Sequence, residues 1–356
     1  MTFSRRELFH NAAFGLVLLP AVARSPRHVL RQLLFEPEGP LVPLKAFPAN
    51  PFVANGRPLV AMVYGKEPRR MVRRGLELLG GIDRLQLRGK RVLLKPNVLN
   101  DRPPPSTTNP RVVATMAELA RDGGAGEVTV ADGSGIIRLP TSDNLTKTGM
   151  RAAAESAGAR VLALEDEPWV RLEPPHSEAL RRFYFSRPVY EADLVINMPV
   201  IKTHRFAEFS CSLKNFVGAV HPRNRPSVSF WSGDWHERIA ELNLAVHPVL
   251  TVADGTTIMI EGGPTSGTPA HTDVVLCSGD RVAVDVVAIA LLRSFGTWSK
   301  LEGKRIEEQR QIKRAAALGL GIGVGRDIEL VIGEADPAPP AFTQLVGRMK
   351  RDLQSL

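Results

Sequence analysis

From Pro58 onward the chain alternates short apolar runs with longer amphipathic segments, and this alternation constrains its fold more than any other feature. The apolar runs have the length of strands, and the segments between them have helical spacing. The runs around residues 93, 129 and 195 are apolar almost throughout, which is typical of strands covered on both faces. The sequence therefore predicts an α/β fold with a mostly parallel sheet and helices on both faces.

The predicted elements lie in one α/β domain at 58–335, with its core at 90–295. The predicted strands are Leu59–Tyr64, Arg91–Leu94, Glu127–Ala131, Arg160–Leu164, Asp193–Met198, Val249–Ala253, Val274–Cys277 and Ile328–Ile332. The predicted helices are Arg69–Leu79, Pro110–Asp122, Gly149–Gly158, Trp235–Ala245, Arg281–Phe295 and Lys304–Leu318. Prolines between 168 and 188 also allow two α/β lobes, divided near 170–190. Residues 336–356 are assigned to a C-terminal tail.

The N-terminus has the organisation of an export signal. Arg5-Arg6 precede a short uncharged stretch that ends in Ala21-Val22-Ala23, a pattern typical of a twin-arginine signal at 1–23. The alternative is an amphipathic first helix of the domain. Residues 24–57 are rich in proline and predict a surface linker. We therefore expect the twin-arginine export machinery as a partner and a periplasmic or other extracytoplasmic location. Whether the signal is cleaved or kept as an anchor stays open.

Composition excludes several classes of protein. Two cysteines, Cys211 and Cys277, are too few for a disulfide scaffold and for any cluster or structural zinc site that needs four thiolates, so no iron–sulfur cluster is expected. The formal charge of +9 is dispersed and aromatic residues make up 6%, so we expect no nucleic-acid partner. No apolar run reaches the roughly 20 residues of a membrane span, so none is expected in the mature chain.

Two polar stretches follow the first buried strands, where ligands bind in parallel sheets. Lys95 and Asn97 come directly after one strand, and Thr108 precedes a helix start that could hold an anion. The alternative is a plain helix cap with a surface lysine. Asp132 follows the next strand and precedes Gly133, which would let the backbone approach a ligand. The alternative there is a tight turn.

Two further stretches follow later strands. Lys202, His204, Lys214 and Asn215 lie beyond the strand near residue 195. In this interpretation Lys202 and Lys214 hold a negative charge and His204 transfers a proton. The alternative is a solvated basic turn with a satisfied histidine.

Asp254 and Glu261 flank a glycine-rich stretch after another strand and are candidate ligands for a divalent metal. The alternative is a structural loop.

In combination these motifs resemble the family called domain of unknown function 362, over roughly residues 90–295. The resemblance is carried by Lys95-Pro96-Asn97, Thr107-Thr108, Asp132-Gly133, Lys202-Thr203-His204, Leu213-Lys214-Asn215, Asp254, Glu261-Gly262 and Val282-Ala283-Val284-Asp285. Some relatives carry a cysteine-rich ferredoxin-like segment, which this chain lacks.

The segment from His204 to Lys214 is also similar to one in the nickel-pincer lactate racemases. There, a histidine and a lysine ten positions later surround a pyridinium-derived nickel cofactor, which the lysine holds covalently. This chain has no histidine in the Gly133–Arg138 stretch, where the racemases have one, so the resemblance implies a shared fold and cleft and leaves racemisation in doubt.

The residues and the resemblance together predict an exported protein with an anion- or cofactor-binding cleft at the strand ends. As an enzyme it would act on a small anionic molecule with the help of a divalent metal or a nickel-pincer-like nucleotide. The alternative is an exported carrier of a metal or cofactor that releases its ligand unchanged.

Overall fold

The computed structural model describes residue 32 and residues 37–225, 233–296 and 299–355. The signal predicted at 1–23 lies outside the described residues. No helix of the described part is both long and apolar enough to cross a membrane.

The chain forms one large mixed sheet, a small hairpin and helices on both faces of the sheet. The strands are β1 Val53–Ala54, β2 Arg57–Tyr64, β3 Arg91–Pro96, β4 Glu127–Asp132, β5 Arg160–Ala163, β6 Trp169–Leu172, β7 Phe183–Ser186, β8 Leu194–Met198, β9 Val200–His204, β10 Glu208–Ser210, β11 Leu250–Gly262, β12 Gly267–Ser278 and β13 Glu329–Glu334. The helices are α1 Pro68–Leu78, α2 Pro110–Asp122, α3 Thr141–Lys147, α4 Met150–Ser156, α5 Arg187–Glu191, α6 Ser212–Asn215, α7 Trp235–Glu241, α8 Arg281–Arg293, α9 Ser299–Glu302, α10 Arg310–Ala317 and α11 Pro340–Gln354.

The sheet confirms the predicted α/β fold class. Its strand order is β1-β2-β12-β11-β8-β3-β4-β5, with β13 beside β2 and β9 beside β11. The pairs β11–β8, β8–β3, β3–β4 and β4–β5 are parallel, so the carboxyl ends of β3, β4 and β8 meet at one edge. The pairs β11–β12 and β12–β2 are antiparallel, which makes the sheet mixed.

Successive residues of β2 show why both faces carry helices. Val60 and Met62 belong to the apolar cluster that includes α7, α8, α10 and α11. Ala61 and Val63 belong to the cluster on the opposite face, which includes α1, α2 and α4. Alternate side chains of a strand point to opposite faces, so an apolar strand needs cover on both.

Three regions differ from the sequence prediction. The glycine-rich stretch predicted as a loop after Ala253 is a long hairpin, because β11 and β12 pair as far as Gly262 and Gly267. Both Gly262 and Gly263 adopt positive φ in its turn. The stretch at 170–190 does not divide two lobes. It holds the β6–β7 hairpin, whose Phe183 and Phe185 pack in one cluster with Leu93 of the main sheet.

The predicted tail at 336–356 contains helix α11 instead. Its Phe342, Leu345, Met349 and Leu353 are buried in the core beside α8. Their spacing is helical, so this signal was present in the sequence. In the linker predicted at 24–57, the chain near Val42 lies along β6, where Val42 N donates to Arg171 O at 3.0 Å, and its last residues form β1 and begin β2.

Candidate functional site

The candidate site lies at the edge where β3, β4 and β8 end. Lys95 pairs with Asn197 and Pro96 with Met198 across β3 and β8, and Asp132 ends the neighbouring strand β4. Parallel pairing brings these polar residues together. They belong to a buried layer, and of the lysines near this edge only Lys214, on helix α6, is half-buried.

Lys95 and Asp132 form the centre of the buried layer. Their side chains are 0% and 2% exposed, and Lys95 Nζ donates to Asp132 Oδ1. The same ammonium donates to Pro96 O at 3.0 Å and to Asn215 O at 3.1 Å, so its three N–H donors are used. Burial lowers the pKa of Lys95, and the charge of Asp132 opposes that shift. This arrangement makes the pair a support for the site and leaves Lys95 no donor for a ligand.

Asn215 and Thr108 belong to the same buried layer. Asn215 Nδ2 donates to Lys95 O at 2.9 Å and to Asn197 Oδ1 at 2.8 Å. Thr108 Oγ1 donates to Met198 O at 2.8 Å and accepts from Asn97 N at 2.9 Å. Both residues, predicted to bind a cofactor, tie strand ends to neighbouring loops.

The glycine after Asp132 has a different role from the predicted one. A Cβ on Gly133 would collide with Gly218 O, and a Cβ on Gly218 would collide with Asp132 Oδ1. The missing side chains therefore let two backbone segments pack against each other.

Lys202 also belongs to the buried layer and lies on strand β9. The alternative interpretation was a solvated turn here, but residues Val200–His204 pair with β10 and β11. Lys202 Nζ donates to Asn97 Oδ1 at 2.6 Å and to Ser106 O at 2.8 Å, which leaves its third N–H for a ligand. Burial, followed by the charge of Lys214, lowers its pKa to about 7.

Lys214 lies on the short helix α6 and is half-buried. Within the described residues its ammonium has neither a hydrogen bond nor an ion pair, in contrast to Lys95 and Lys202. Burial, followed by the charge of Arg225, lowers the pKa of Lys214 to about 8. It is therefore a cation whose hydrogen-bond donors are open to a ligand.

His204 completes this group at the end of β9. Its Nδ1 accepts from Phe206 N at 3.2 Å and from Ala207 N at 3.1 Å, so the proton of the neutral ring is on Nε2. Burial and the charges of Lys214 and Lys202 lower its pKa well below the usual range. The rings of Phe206 and Trp235 each lie 6.3 Å from the imidazole, so an aromatic wall borders the site.

Two buried residues to which the sequence assigned no role support the site. Arg225 donates to Ser134 O, and to Val220 O at 2.9 Å, and no motif marks its position. Asp285 Oδ1 and Oδ2 accept from Ser212 N at 2.5 Å and Leu213 N at 3.0 Å, which secures the start of α6. Burial raises the pKa of Asp285 to about 7.

The proposed metal ligands do not fit a shared ion. Asp254 and Glu261 both lie on β11, where an advance of about 3.3 Å per residue separates them by roughly 20 Å. Asp254 Oδ2 accepts from Asn109 N at 2.7 Å and Oδ1 accepts from Thr256 Oγ1 at 2.7 Å, while Glu261 is exposed. No group of three histidine, cysteine, aspartate or glutamate side chains in the described ranges could hold a metal. The structure therefore places these two carboxylates apart along one strand, and a metal at either of them stays a prediction.

Comparison with known proteins found a family, a relative and similar solved structures. The family described as "Domain of unknown function (DUF362)" matches residues 92–290, more than half of the chain. The "Thylakoid-associated protein sll1697" of Synechocystis sp. is 28% identical over 229 residues, which are 61% of this chain and 68% of that protein. The lactate racemase apoprotein from Thermoanaerobacterium thermosaccharolyticum aligns with a TM-score of 0.42 and 14% identity, covering 70% of this chain and 60% of its own length.

Proposed function

Since the chain belongs to the DUF362 family, whose description leaves the activity open, we propose that it is an enzyme acting on a small anionic substrate at the edge formed by β3, β4 and β8. The anion contacts Lys202 and Lys214, and His204 exchanges a proton with it. Buried hydrogen bonds hold this arrangement in place, and they are made by Lys95, Asp132, Asn215 and Thr108.

One observation carries the proposal: basic groups converge there without a matching carboxylate. Within the described residues neither Lys202 nor Lys214 forms an ion pair, and each lowers the pKa of His204 by its charge. The nearest acid, Asp132, is already paired with Lys95. Uncompensated cations in a poorly solvated site attract anions strongly, because the electrostatic attraction between two opposite charges is stronger there than in water.

The roles of these groups follow from their free hydrogen-bonding positions. Lys202 has one N–H left, Lys214 has its whole ammonium, and the neutral His204 ring has its Nε2 proton. A carboxylate or phosphate group of the substrate can accept hydrogen bonds from Lys202 and Lys214. His204 can then donate to, or through tautomer exchange accept from, the reacting part of the substrate.

Removing either lysine charge tests this anion site. Lys202→Met and Lys214→Met should each weaken sulfate binding by about tenfold to a hundredfold, the usual loss for one charge-assisted hydrogen bond. Isothermal titration calorimetry at pH 6.5 and low salt measures the affinity. Lys147→Met is the matched control, since Lys147 is exposed on α3. Unchanged affinity in both site variants, with both folded, would contradict the proposal.

Sulfate affinity should also fall as the pH rises. A lysine is charged below its pKa, and the pKa values of Lys202 and Lys214 are lowered to about 7 and about 8. Sulfate stays doubly charged from pH 6.5 to 9.5, so the change reports only on the protein. We expect the dissociation constant to rise about tenfold per pH unit between pH 7 and 8, with one linked proton, and up to about a hundredfold per unit above pH 8, where both lysines lose their protons. Lys147→Met should keep this profile, and a flat profile would show that neither lysine ammonium is needed.

The same set of groups could hold an organic anion that stays bound as a cofactor. Intact mass under denaturing conditions, with elemental analysis, distinguishes these cases on protein purified from its own host. A covalent adduct or stoichiometric metal would identify a cofactor enzyme. A bare polypeptide that binds ligands and returns them unchanged would favour the carrier.

We further propose export by the twin-arginine route. Arg5-Arg6 and the apolar stretch that follows support it, as does a relative whose name describes it as thylakoid-associated. Fractionation of host cells carrying the intact chain or an Arg5→Lys, Arg6→Lys variant tests this, and the variant should stay in the cytoplasm.

A further inference from the structure

We propose that the Lys214 amine is a nucleophile that forms an imine with an aldehyde or ketone carrying a negative charge. This inference rests on the proposed anion site and adds a covalent step to it. The substrate class is then an oxo acid or an oxo phosphate.

The hydrogen bonds of three lysines at this edge single out Lys214. Lys95 donates three hydrogen bonds and Lys202 donates two. The described residues accept none from Lys214 Nζ, although its side chain is half-buried. An amine that attacks a carbonyl needs an unshared lone pair and freedom to approach, and only Lys214 of the three keeps both.

The surroundings of Lys214 favour the neutral amine. The cations near it are Arg225, which lowers its pKa, and Lys202, whose own pKa it lowers. No carboxylate in the described part of the chain pairs with it. With a pKa of about 8, roughly half of the amine is neutral at pH 8, whereas an ordinary lysine is almost fully protonated. Neighbouring cations and burial are the known means of activating such a lysine.

The neighbours of Lys214 can orient the carbonyl compound. The third N–H of Lys202 can bind the carboxylate or phosphate, and His204 Nε2–H can donate to the carbonyl oxygen. Both residues are close enough to Lys214 for its charge to lower their pKa values. The anion is thereby placed beside the amine.

The proposed step balances without an oxidant or a metal. The nitrogen lone pair of Lys214 forms a bond to the carbonyl carbon, and the C=O π bond breaks. One amine proton passes to the oxygen and gives a carbinolamine. The carbon–oxygen bond then breaks, the second amine proton leaves with the hydroxyl as water, and a carbon–nitrogen double bond remains.

Reductive trapping tests the inference on the full chain. The protein is incubated with glyoxylate and sodium cyanoborohydride at pH 7, where about half of Lys202 is still charged and about a tenth of Lys214 is neutral, and labelled lysines are identified by peptide mapping. We expect Lys214 to be labelled on the order of tenfold faster than the exposed Lys147. Sulfate should slow the labelling of Lys214 and leave Lys147 unchanged. Lys202→Met should slow it too, because the anion is then held less well.

The outcomes separate the two proposals. Labelling of Lys214 no faster than Lys147, in protein whose sulfate binding depends on Lys202, would overturn the imine and leave the anion site in place. Fast labelling of Lys214 that neither sulfate nor Lys202→Met affects would overturn the role of the anion. Absence of sulfate binding in the folded wild-type protein would overturn the proposed function itself.

Discussion

Replacing Asp132 by Ala should lower the free energy of unfolding by about 3–5 kcal/mol, the largest effect we expect from one residue of the site. The substitution leaves the ammonium of Lys95 fully buried with only carbonyl oxygens around it. Removing one partner of a buried ion pair is costly because the remaining charge is neither solvated nor paired. Urea unfolding at pH 7, followed by circular dichroism, measures the change.

Two further variants make this prediction specific. Asp122→Ala removes an exposed carboxylate 3.8 Å from Arg73, and should change stability by less than about 0.5 kcal/mol. Adding Lys95→Met to Asp132→Ala should restore part of the loss, since no buried charge is then left. Restoration stays incomplete because Val98 N loses its acceptor, Asp132 Oδ2. A loss below about 1 kcal/mol for Asp132→Ala would show that the pair is not a structural support.

Replacing Glu241 by Ala should also cost about 3–5 kcal/mol. This fully buried carboxylate on α7 accepts from three backbone N–H groups of the 178–180 segment, at 2.7–3.1 Å. It also accepts from Arg314 Nη2 at 2.6 Å. The substitution leaves the three backbone N–H groups without this acceptor and leaves Arg314 only His176 O and the exposed Glu178, so the segment and α10 lose their buried attachment to α7.

Glu178→Gln is the matched control for Glu241→Ala. Glu178 pairs with the same arginine at 3.3 Å, but its side chain is 83% exposed. Water screens this pair, so we expect a change within about 0.5 kcal/mol. Equal losses in the two variants would contradict the distinction between the buried and the exposed partner. Urea unfolding again measures both.

The sequence predicted the main sheet well because its signal is local. Apolar runs such as Arg91–Leu94 and Glu127–Ala131 became β3 and β4 with nearly the same bounds. Strands buried on both faces contain few polar residues, and this can be read without knowing their neighbours. The β11–β12 hairpin was missed because its exposed end is rich in glycine, threonine and proline, which individually favour loops.

The candidate site likewise contains residues that the sequence could identify and a residue that it could not. Lys95, Lys202, His204 and Lys214 could be identified from their positions after apolar runs. Arg225 could not, because it acts through backbone groups of segments that are distant in the sequence. A metal shared by Asp254 and Glu261 was expected for a loop, whereas the structure places both residues along one strand.

What the sequence by itself determined is the α/β alternation and the presence of lysine, histidine and carboxylate groups at the strand ends. What only the tertiary structure decided is which of these groups are already satisfied. Lys95 meets partners 37 and 120 positions away, and Lys202 meets one 105 positions away, whereas Lys214 meets none among the described residues. Hydrogen-bond partners so far apart in the chain are brought together only by folding. Three lysines that look alike in the sequence therefore become a buried support, a partly held cation and an open amine.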